Sequence, residues 1–272
     1  MKIVIIGYGW VGQANALALS LDGEDVHFFD PAEPEHHYTD QYSESYNKIK
    51  KLSSPLEQDG MDTCYLVCVG DRVSESGEQD VSNIEKALTS IEGAQGMVVL
   101  RSTILPQTLK NLSFDFYLPE FLHEKKAVEE CRNPALFVLG VKSEKKLPEF
   151  LTKWEALASR KFMGTPEEAS YIKYLSNIWN ALQIAFVNEF GDLLPTESNN
   201  KIIDFFFEGR AYRRYGKGFD GHCLPKDIRA FIGMAQSEGR SALILEAAKQ
   251  ANDIHKKIQE EKNLNEWYSE WK

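Results

Sequence analysis

Positive charge is in short supply in this chain: 31 lysines and arginines stand against 41 aspartates and glutamates, a formal net charge of −10 over 272 residues. That balance argues against general binding to nucleic acid or to an anionic membrane surface, so an anionic ligand has to find a local basic patch. Cysteine is scarce as well. Cys64, Cys68, Cys131 and Cys223 are too few and too scattered for a disulfide framework, and a reducing, cytoplasmic setting fits them. Cys64 and Cys68 lie in the apolar run CYLVCVG, where a strand turns both to one face as buried structural thiols rather than metal ligands. Long apolar runs are missing: the opening MKIVIIGYG breaks at Gly7, too early for a signal sequence or a membrane span. Internal repeats and low-complexity tracts are also missing.

What is present is a run of short apolar segments alternating with helical patterns. KIVII (residues 2–6) reads as a buried parallel strand, QANALALSLDG as a helix, and DVHFFD as a second strand ending at Asp30. From about Pro31 to Gly60 the chain is polar and poorly periodic, and His36 and His37 there read as part of a solvated loop with no metal role. MDTCYLVCVG, GMVVLRST, FDFYLPEFL, ALFVLGV and RKFMGT read as further strands. DVSNIEKALTSI reads as a helix capped by Asp80 or Ser82, and a further helix falls around KKLPEFLTKWEALA. After Thr165 the character changes. PEEASYIKYLSNIWNALQIAFVNEFGDLL is one long helical pattern with Pro166 in its first turn. The tail helix puts Leu243, Ala247, Ala251, Ile254 and Ile258 on one face. The expected fold is α/β: a Rossmann-type parallel-sheet domain over residues 1 to about 165, then a smaller helical domain over 166–272.

Gly7-x-Gly9-x-x-Gly12 follows a strand, opens a helix, and is followed 18 residues after Gly12 by Asp30 at a strand end. In that context the spacing predicts a dinucleotide site. Gly7 permits the turn, Gly9 lets backbone approach a pyrophosphate, and Gly12 lets helix and strand pack closely. Unpaired N–H groups at the helix start face the phosphates. Asp30 accepts hydrogen bonds from a ribose 2′-OH and repels a 2′-phosphate, which favours NAD over NADP.

A second set of polar residues lies further on. Ser102–Thr108, STILPQT, follows a strand at the carboxyl edge, where such sheets bind ligands. Glu120 and Glu124 are four apart and share a face if their segment is helical; Lys173 and Asn177 have the same spacing on the long helix, where a cation and an amide can hold an oxyanion. Each pair by itself reads first as a solvated helix face. In GKGFDGHCLPKD, glycines lead to Cys223, and Pro225 suits the first turn of a helix whose dipole favours thiolate. Asp227 is placed to polarise water or orient a lysine. A small buried cysteine in a turn is the competing reading of Cys223.

Taken in order, GYGWVG, RSTILPQT, LPEFLHEKKA, RNPALFVLG, EEASYIKYLSN…NE and GFDGHCLPKD resemble the UDP-glucose/GDP-mannose dehydrogenase family. The resemblance spans about Met1 to Lys226 and continues into the tail helix; PEF with CLPKD is its specific part. It implies NAD-dependent, two-step oxidation of a nucleotide-sugar C6 alcohol to the carboxylate, with UDP-glucose the first choice of substrate. It implies that Cys223 is the nucleophile, that Lys173 and Asn177 stabilise the oxyanion, and that Glu120, Thr103 and Asp227 handle protons and the hydrolytic water. At the cofactor it implies Gly7, Gly9, Trp10, Val11, Gly12, Asp30, Val69, Gly70, Ser102, Thr103, Glu124 and Lys226. At the substrate it implies Phe121, Leu122, Lys173, Asn177, Phe219 and Gly221, together with Arg210 donated across a homodimer interface. Arg213 and Arg214 compete with Arg210 for that place.

The chain departs from the family pattern at several points. Asp220 stands where the motif usually has its second glycine, Asp71 where a threonine is frequent, and the stretches after Asp30 and before Cys223 are short. The family's third, α/β domain grips the substrate's nucleotide; the chain reaches Lys272 without it, so nucleotide recognition is expected elsewhere. The basic, aromatic cluster RAYRRYGK is the candidate for holding a diphosphate, with a solvated loop or dimer contact as the alternative. A dehydrogenase for a smaller sugar or hydroxy acid, and a non-catalytic NAD-binding subunit, remain open at this point.

Overall fold

A computed structural model describes residues 1–262 and 264. The chain divides into two compact units, one made of residues 1–71 and 80–173 and the other of residues 72–79 and 174–272.

The first unit is built on a sheet. Its strands are β1 (Lys2–Ile6), β2 (Asp25–Phe29), β3 (Lys50–Lys51), β4 (Thr63–Val67), β7 (Met97–Leu100), β8 (Phe116–Tyr117), β9 (Leu136–Val141) and β10 (Arg160–Gly164), in the order β10-β9-β8-β7-β4-β1-β2-β3. The short strands β5 (Arg72–Val73) and β6 (Gln79–Asp80) pair apart from it. Neighbours run parallel except β8 with β9, and β1 sits centrally, Ile3 opposite Val26 on one side and Cys64 on the other. Strands covered on both faces need apolar residues at every position, which is why KIVII and TCYLV read as unbroken apolar runs.

Two cores follow from the alternation along β1. Ile3 and Ile5 pack on one face with Ala14, Leu17, Phe137 and Trp154, from α1 (Trp10–Leu21), β9 and α6 (Glu149–Leu157). Val4 and Ile6 pack on the other with Ile84, Leu88, Leu109 and Ala169, from α3 (Ser82–Ser90), α4 (Pro106–Leu109) and the start of α7 (Pro166–Asp192). The first face also carries α5 (Ala127–Arg132), preceded by a single 3-10 turn over Glu124–Lys126.

The structure corrects three readings. The segment after Pro31 is not plain loop: it forms α2 (Thr39–Tyr46) and β3, and His37 stacks on Trp10 at 4.0 Å between ring centroids while His36 stacks on Tyr46 at 4.3 Å. Buried Gln13 organises this polar stretch, donating to the Tyr8 and Glu35 carbonyls and accepting from the His37 N–H and the Tyr46 hydroxyl. At α3 the N-cap is Val81, neither Asp80 nor Ser82: Asp80, one residue earlier, accepts the Ser82 N–H on Oδ1 at 2.9 Å, and Ser82 is already helical.

The third correction concerns α10 (Leu243–Lys262) in the second unit, which also holds α8 (Asn199–Phe207) and α9 (Leu224–Ser237). Its buried residues are Ala248, Asn252 and His255, whereas Leu243, Ala247 and Ile254 are exposed and Ala251 and Ile258 are half-buried. The face that packs is polar because its side chains bond to backbone, as described below. The apolar core of this unit gathers Ala181, Ile184 and Ala185 of α7, Ile228 and Ile232 of α9, Ala248 and Phe219. The turn between β5 and β6 lies on α9: Gly77, at φ +86°, leaves so little room that an added Cβ would sit 2.4 Å from the Arg229 carbonyl. Among the described residues no helix is long and apolar enough to cross a membrane.

Candidate active site

The glycine turn behaves as its spacing predicts. Gly7 takes φ +88°, a conformation side chains resist, and its N–H bonds the Phe29 carbonyl at 3.0 Å. A Cβ on Gly12 would lie 2.0 Å from the Gly7 carbonyl oxygen, so only glycine lets α1 come this close to β1. At Gly9 the same construction meets nothing within 4 Å, and Gly9 caps α1 with no side chain covering the first N–H groups. Backbone donors therefore face open space, as a pyrophosphate requires. Asp30 follows β2 and accepts the Tyr8 N–H at 2.7 Å and the Ala32 N–H at 2.9 Å, which fixes its carboxylate while leaving lone pairs for ribose hydroxyls. Trp10 and half-buried Val11 begin α1. Val69 follows β4 with its side chain 2.8 Å from where a Gly7 Cβ would be, and Gly70 is exposed beside it. The Ser102 hydroxyl donates to the Val69 carbonyl at 2.5 Å and so ties the segment carrying Thr103 to the turn after β4. These residues fit NAD.

On the other face of the sheet, α7 starts with a reciprocal cap: the Thr165 N–H bonds Glu168 Oε2 at 2.8 Å and the Glu168 N–H bonds Thr165 Oγ1 at 3.2 Å. Ser170 then donates to the Ile104 carbonyl at 2.6 Å, just past Thr103, and pins the helix there. One turn on, Lys173 Nζ donates to Glu120 Oε1 at 3.0 Å, with the lysine 3% and the glutamate 8% exposed. Glu120 Oε2 accepts the Leu122 N–H at 2.8 Å, and the Lys173 ammonium stands 5.3 Å from the Phe121 ring centre. Burial pushes the Glu120 carboxyl up, but the Lys173 charge, the Leu122 N–H and the nearby Arg101 charge outweigh it and hold the group below the usual carboxylate range. Glu120 is thus a buried anion paired to a buried cation.

The helical reading of Glu120 and Glu124 does not hold. Residues Leu118–His123 form no helix; Glu120 is buried outside any helix or strand and Glu124 is exposed in the 3-10 turn, so they share no helical face.

In the second unit Cys223 is the N-cap of α9, exposed, with Pro225 in the first turn. The other three cysteines behave differently. Cys64 and Cys131 are buried, and burial pushes the thiols of Cys131 and half-buried Cys68 up to about 12. One turn along α9, Asp227 is 1% exposed, its Oδ2 accepting Asn177 Nδ2 and its Oδ1 accepting Lys226 Nζ, both at 2.6 Å. Asn177 of α7 thus joins Asp227 and Lys226, in the first turn of the helix that Cys223 caps, in one hydrogen-bonded chain.

The loop leading to Cys223 is held by residues that sequence reasoning missed. Asn188 of α7 donates to the Lys217 carbonyl and accepts the Gly216 N–H; Asn252 of α10 accepts the Phe219 N–H at 2.7 Å and donates to its carbonyl at 2.9 Å. Gln259 accepts the Gly218 N–H, and buried His255 bridges the Gly216 carbonyl and Asp192, at 2.6 Å to each. The signal was present as amides at one-turn spacing on the tail helix, but an apolar stripe was the wrong thing to look for. Phe219, expected at a substrate, is instead a core side chain; Gly221 follows at φ +76° and is exposed. Asp220 is met by Lys256 at 3.2 Å. The arginines of the basic cluster are engaged inside the chain: Arg210 with Glu208 and Arg214 with the Gly209 carbonyl, both at 2.7 Å, and Arg213 with Gln183.

Two sequence profiles of one family cover most of the chain: residues 37–157 match the UDP-glucose/GDP-mannose dehydrogenase family NAD binding domain, and 167–254 its central domain. The chain belongs to this family. It carries the NAD-binding domain of these dehydrogenases, and NAD is their cofactor. A GDP-mannose 6-dehydrogenase of Pseudomonas savastanoi pv. phaseolicola is 26% identical over 93% of this chain and 68% of its own. A UDP-glucose 6-dehydrogenase of Rickettsia felis is 29% identical over 93% of this chain and 64% of its own. The solved UDP-glucose dehydrogenase of Pyrobaculum islandicum superposes with a TM-score of 0.81 at 25% identity, covering 93% of this chain and 68% of that one. The chain thus spans about two thirds of the length of the relatives it matches.

The family's glycine turn gives an immediate test. Gly12→Ala should weaken NAD binding at least about tenfold and cost about 1–3 kcal/mol of stability, because the new methyl overlaps the Gly7 carbonyl. Calorimetric titration with NAD and urea unfolding measure the two effects.

Proposed function

We propose that this protein oxidises the C6 alcohol of a nucleotide sugar to the carboxylate in two NAD-dependent steps, with UDP-glucose as the first candidate substrate. The observation that carries the reading is Cys223 exposed at the start of α9, one turn from buried Asp227 with its amide and ammonium partners.

Bound NAD supplies a hydride acceptor at each oxidation, one cofactor per step. In the first step the alcohol loses its C6 hydride and its hydroxyl proton to give the aldehyde. The Cys223 thiolate adds to the aldehyde carbon, and the oxygen takes a proton to give a thiohemiacetal. A helix N-terminus favours that thiolate. Loss of the second hydride together with the hydroxyl proton leaves a thioester on Cys223, and water releases the acid and restores the thiol. Covalent capture keeps the aldehyde on the enzyme between oxidations. Lys173 and Asn177 stabilise negative charge on the reacting oxygen. Glu120, Asp227 and Thr103 move protons and position the hydrolytic water; Glu124 and Lys226 meet the cofactor. The Leu122 and Gly221 backbone and Phe121 line the sugar.

A second substrate reading, GDP-mannose, is favoured by the GDP-mannose 6-dehydrogenases among the relatives. Assay of the purified chain with NAD against UDP-glucose, GDP-mannose and the free sugars decides between them. Turnover of a nucleotide sugar and not of free sugars is expected. Turnover of a free sugar or hydroxy acid alone, or NAD binding with no turnover at all, would overturn the proposal.

The chain also works as a homodimer in this reading. Within α7, Ile178, Ala181, Ala185 and Asn188 are buried while Leu175, Trp179, Phe186 and Phe190 are exposed at helical spacing, and α8 exposes Phe205 and Phe206. Exposed apolar area of this extent marks an interaction surface, and Arg210, with most of its side chain in solvent, is the residue proposed to cross to the partner's site. Trp179→Glu with Phe186→Glu should halve the mass measured by light scattering. A wild-type monomer would contradict the dimer.

A further inference from the structure

A cavity of about 320 Å³ lies in the first unit, on the face of the sheet that carries α5 and α6. It shares Phe121 and Leu122 with the residues placed at the sugar, but none of the residues placed in proton transfer or covalent chemistry lines it. Glu120 does not line it; that carboxylate bonds to Lys173 of α7, and α7 packs into the core of the opposite face. None of Gly7–Gly12 lines it either.

The cavity wall contains a buried cation. Arg101, 5% exposed, follows β7, and its Nε has no hydrogen-bond partner. The side chain makes one 3.5 Å bond, from Nη1 to the Leu118 carbonyl, and its guanidinium carbon stands 5.6 Å from the Trp154 ring centre. No carboxylate comes within ion-pair distance of it among the described residues. Glu120 lies near enough for the two charges to act on each other, but its carboxylate is bonded to Lys173, so Arg101 has no hydrogen-bonded anion of its own. A buried guanidinium in that position is costly unless an anion meets it.

The other walls narrow the choice of anion. His123 is held by Glu130 at 2.7 Å through both its ring Nδ1 and its backbone N–H, so this pair offers no second free cation. Phosphate, with two charges, would meet one arginine and the nearby Glu130 carboxylate. A carboxylate carries one charge and matches the planar guanidinium fork. Leu118, Leu122, Phe137 and Trp154 supply apolar surface for the rest of the ligand. An apolar cavity of roughly 150 Å³ accepts benzene, so this one has room for a ring with a carboxylate attached.

We propose that this cavity is a binding site for a small apolar monocarboxylate, held by Arg101 and stacked among Trp154, Phe137 and Leu122, behind the segment that carries Glu120. Benzoate is the probe. Calorimetric titration of the intact chain at fixed ionic strength should show saturable one-site binding that persists at saturating NAD. Arg101→Met should weaken it at least tenfold with little change in the thermal midpoint of the ligand-free protein, since the buried charge it removes is ion-paired to no carboxylate and acts on Glu120 only at a distance. Leu118→Phe, which leaves Arg101 in place and adds bulk from the cavity's own face of the sheet, should also weaken binding at least tenfold. The proposal is overturned if benzoate does not saturate, if NAD abolishes its binding (the cavity then belongs to the cofactor site), or if both variants bind as the parent does. A marked fall in the Arg101→Met midpoint would overturn the premise of an uncompensated cation.

Discussion

Cys223→Ser is expected to abolish formation of the acid, by about four orders of magnitude or more in kcat, the scale on which enzymes lose rate when a nucleophile is removed. A serine hydroxyl at the start of α9 is far less ionised than a thiol and is a poorer nucleophile toward an aldehyde carbon. In the proposed mechanism the first oxidation does not use the nucleophile, so slow NADH release with accumulating aldehyde is the expected residual behaviour. Asp227 and its partners Asn177 and Lys226 do not depend on the thiol, so the variant should fold normally. Product analysis by mass spectrometry separates aldehyde from acid; acid at near the parental rate would remove Cys223 from the mechanism.

The second large effect is at the buried pair. Lys173→Met leaves the Glu120 carboxylate buried without its cation and is expected to cost about 3–5 kcal/mol of stability. If Lys173 also stabilises the oxyanion, activity should fall by a further factor of about 10²–10³ in the folded fraction. The double variant Lys173→Met with Glu120→Leu should regain most of the stability and none of the activity, which separates the two roles. Acid pH gives an independent reading. Glu120 is held below its ordinary value in the folded chain, so its contribution is complete above the unfolded carboxylate range and is lost as pH falls through the lowered folded value. Urea unfolding of the parent should therefore weaken on acidification, and Glu120→Gln should remove that part of the slope.

Much of this was legible in the sequence because the signals are local. The strand, glycine turn, helix and acid of residues 2–30 depend on neighbouring residues, and KIVII, GYGWVG and Asp30 stand where that pattern puts them. Cys223 before Pro225 likewise predicted the start of α9, and Pro166 the start of α7. What escaped was polar structure held by distant partners. The stretch after Pro31 looked like loop because its order depends on Gln13, a residue of α1. The tail helix was read for an apolar stripe, whereas its packing face is Ala248, Asn252 and His255, whose amide and imidazole bond the backbone before Cys223. Glu120 and Glu124 were paired by spacing alone, and no helix forms to make that spacing count.

Asn252 and His255 also answer why GKGFDGHCLPKD can carry Asp220 in place of a glycine. The loop's shape is set by side chains from α7 and α10 rather than by glycine at that position, and Lys256 of α10 balances the added charge.

The central claim is that one chain performs two successive oxidations of one substrate through a covalent intermediate. Counting NADH formed against uronic acid formed, on whichever nucleotide sugar the panel selects, tests it most directly. The account predicts two NADH for each acid, with no aldehyde released. One NADH for each product, with the aldehyde as that product, would contradict it.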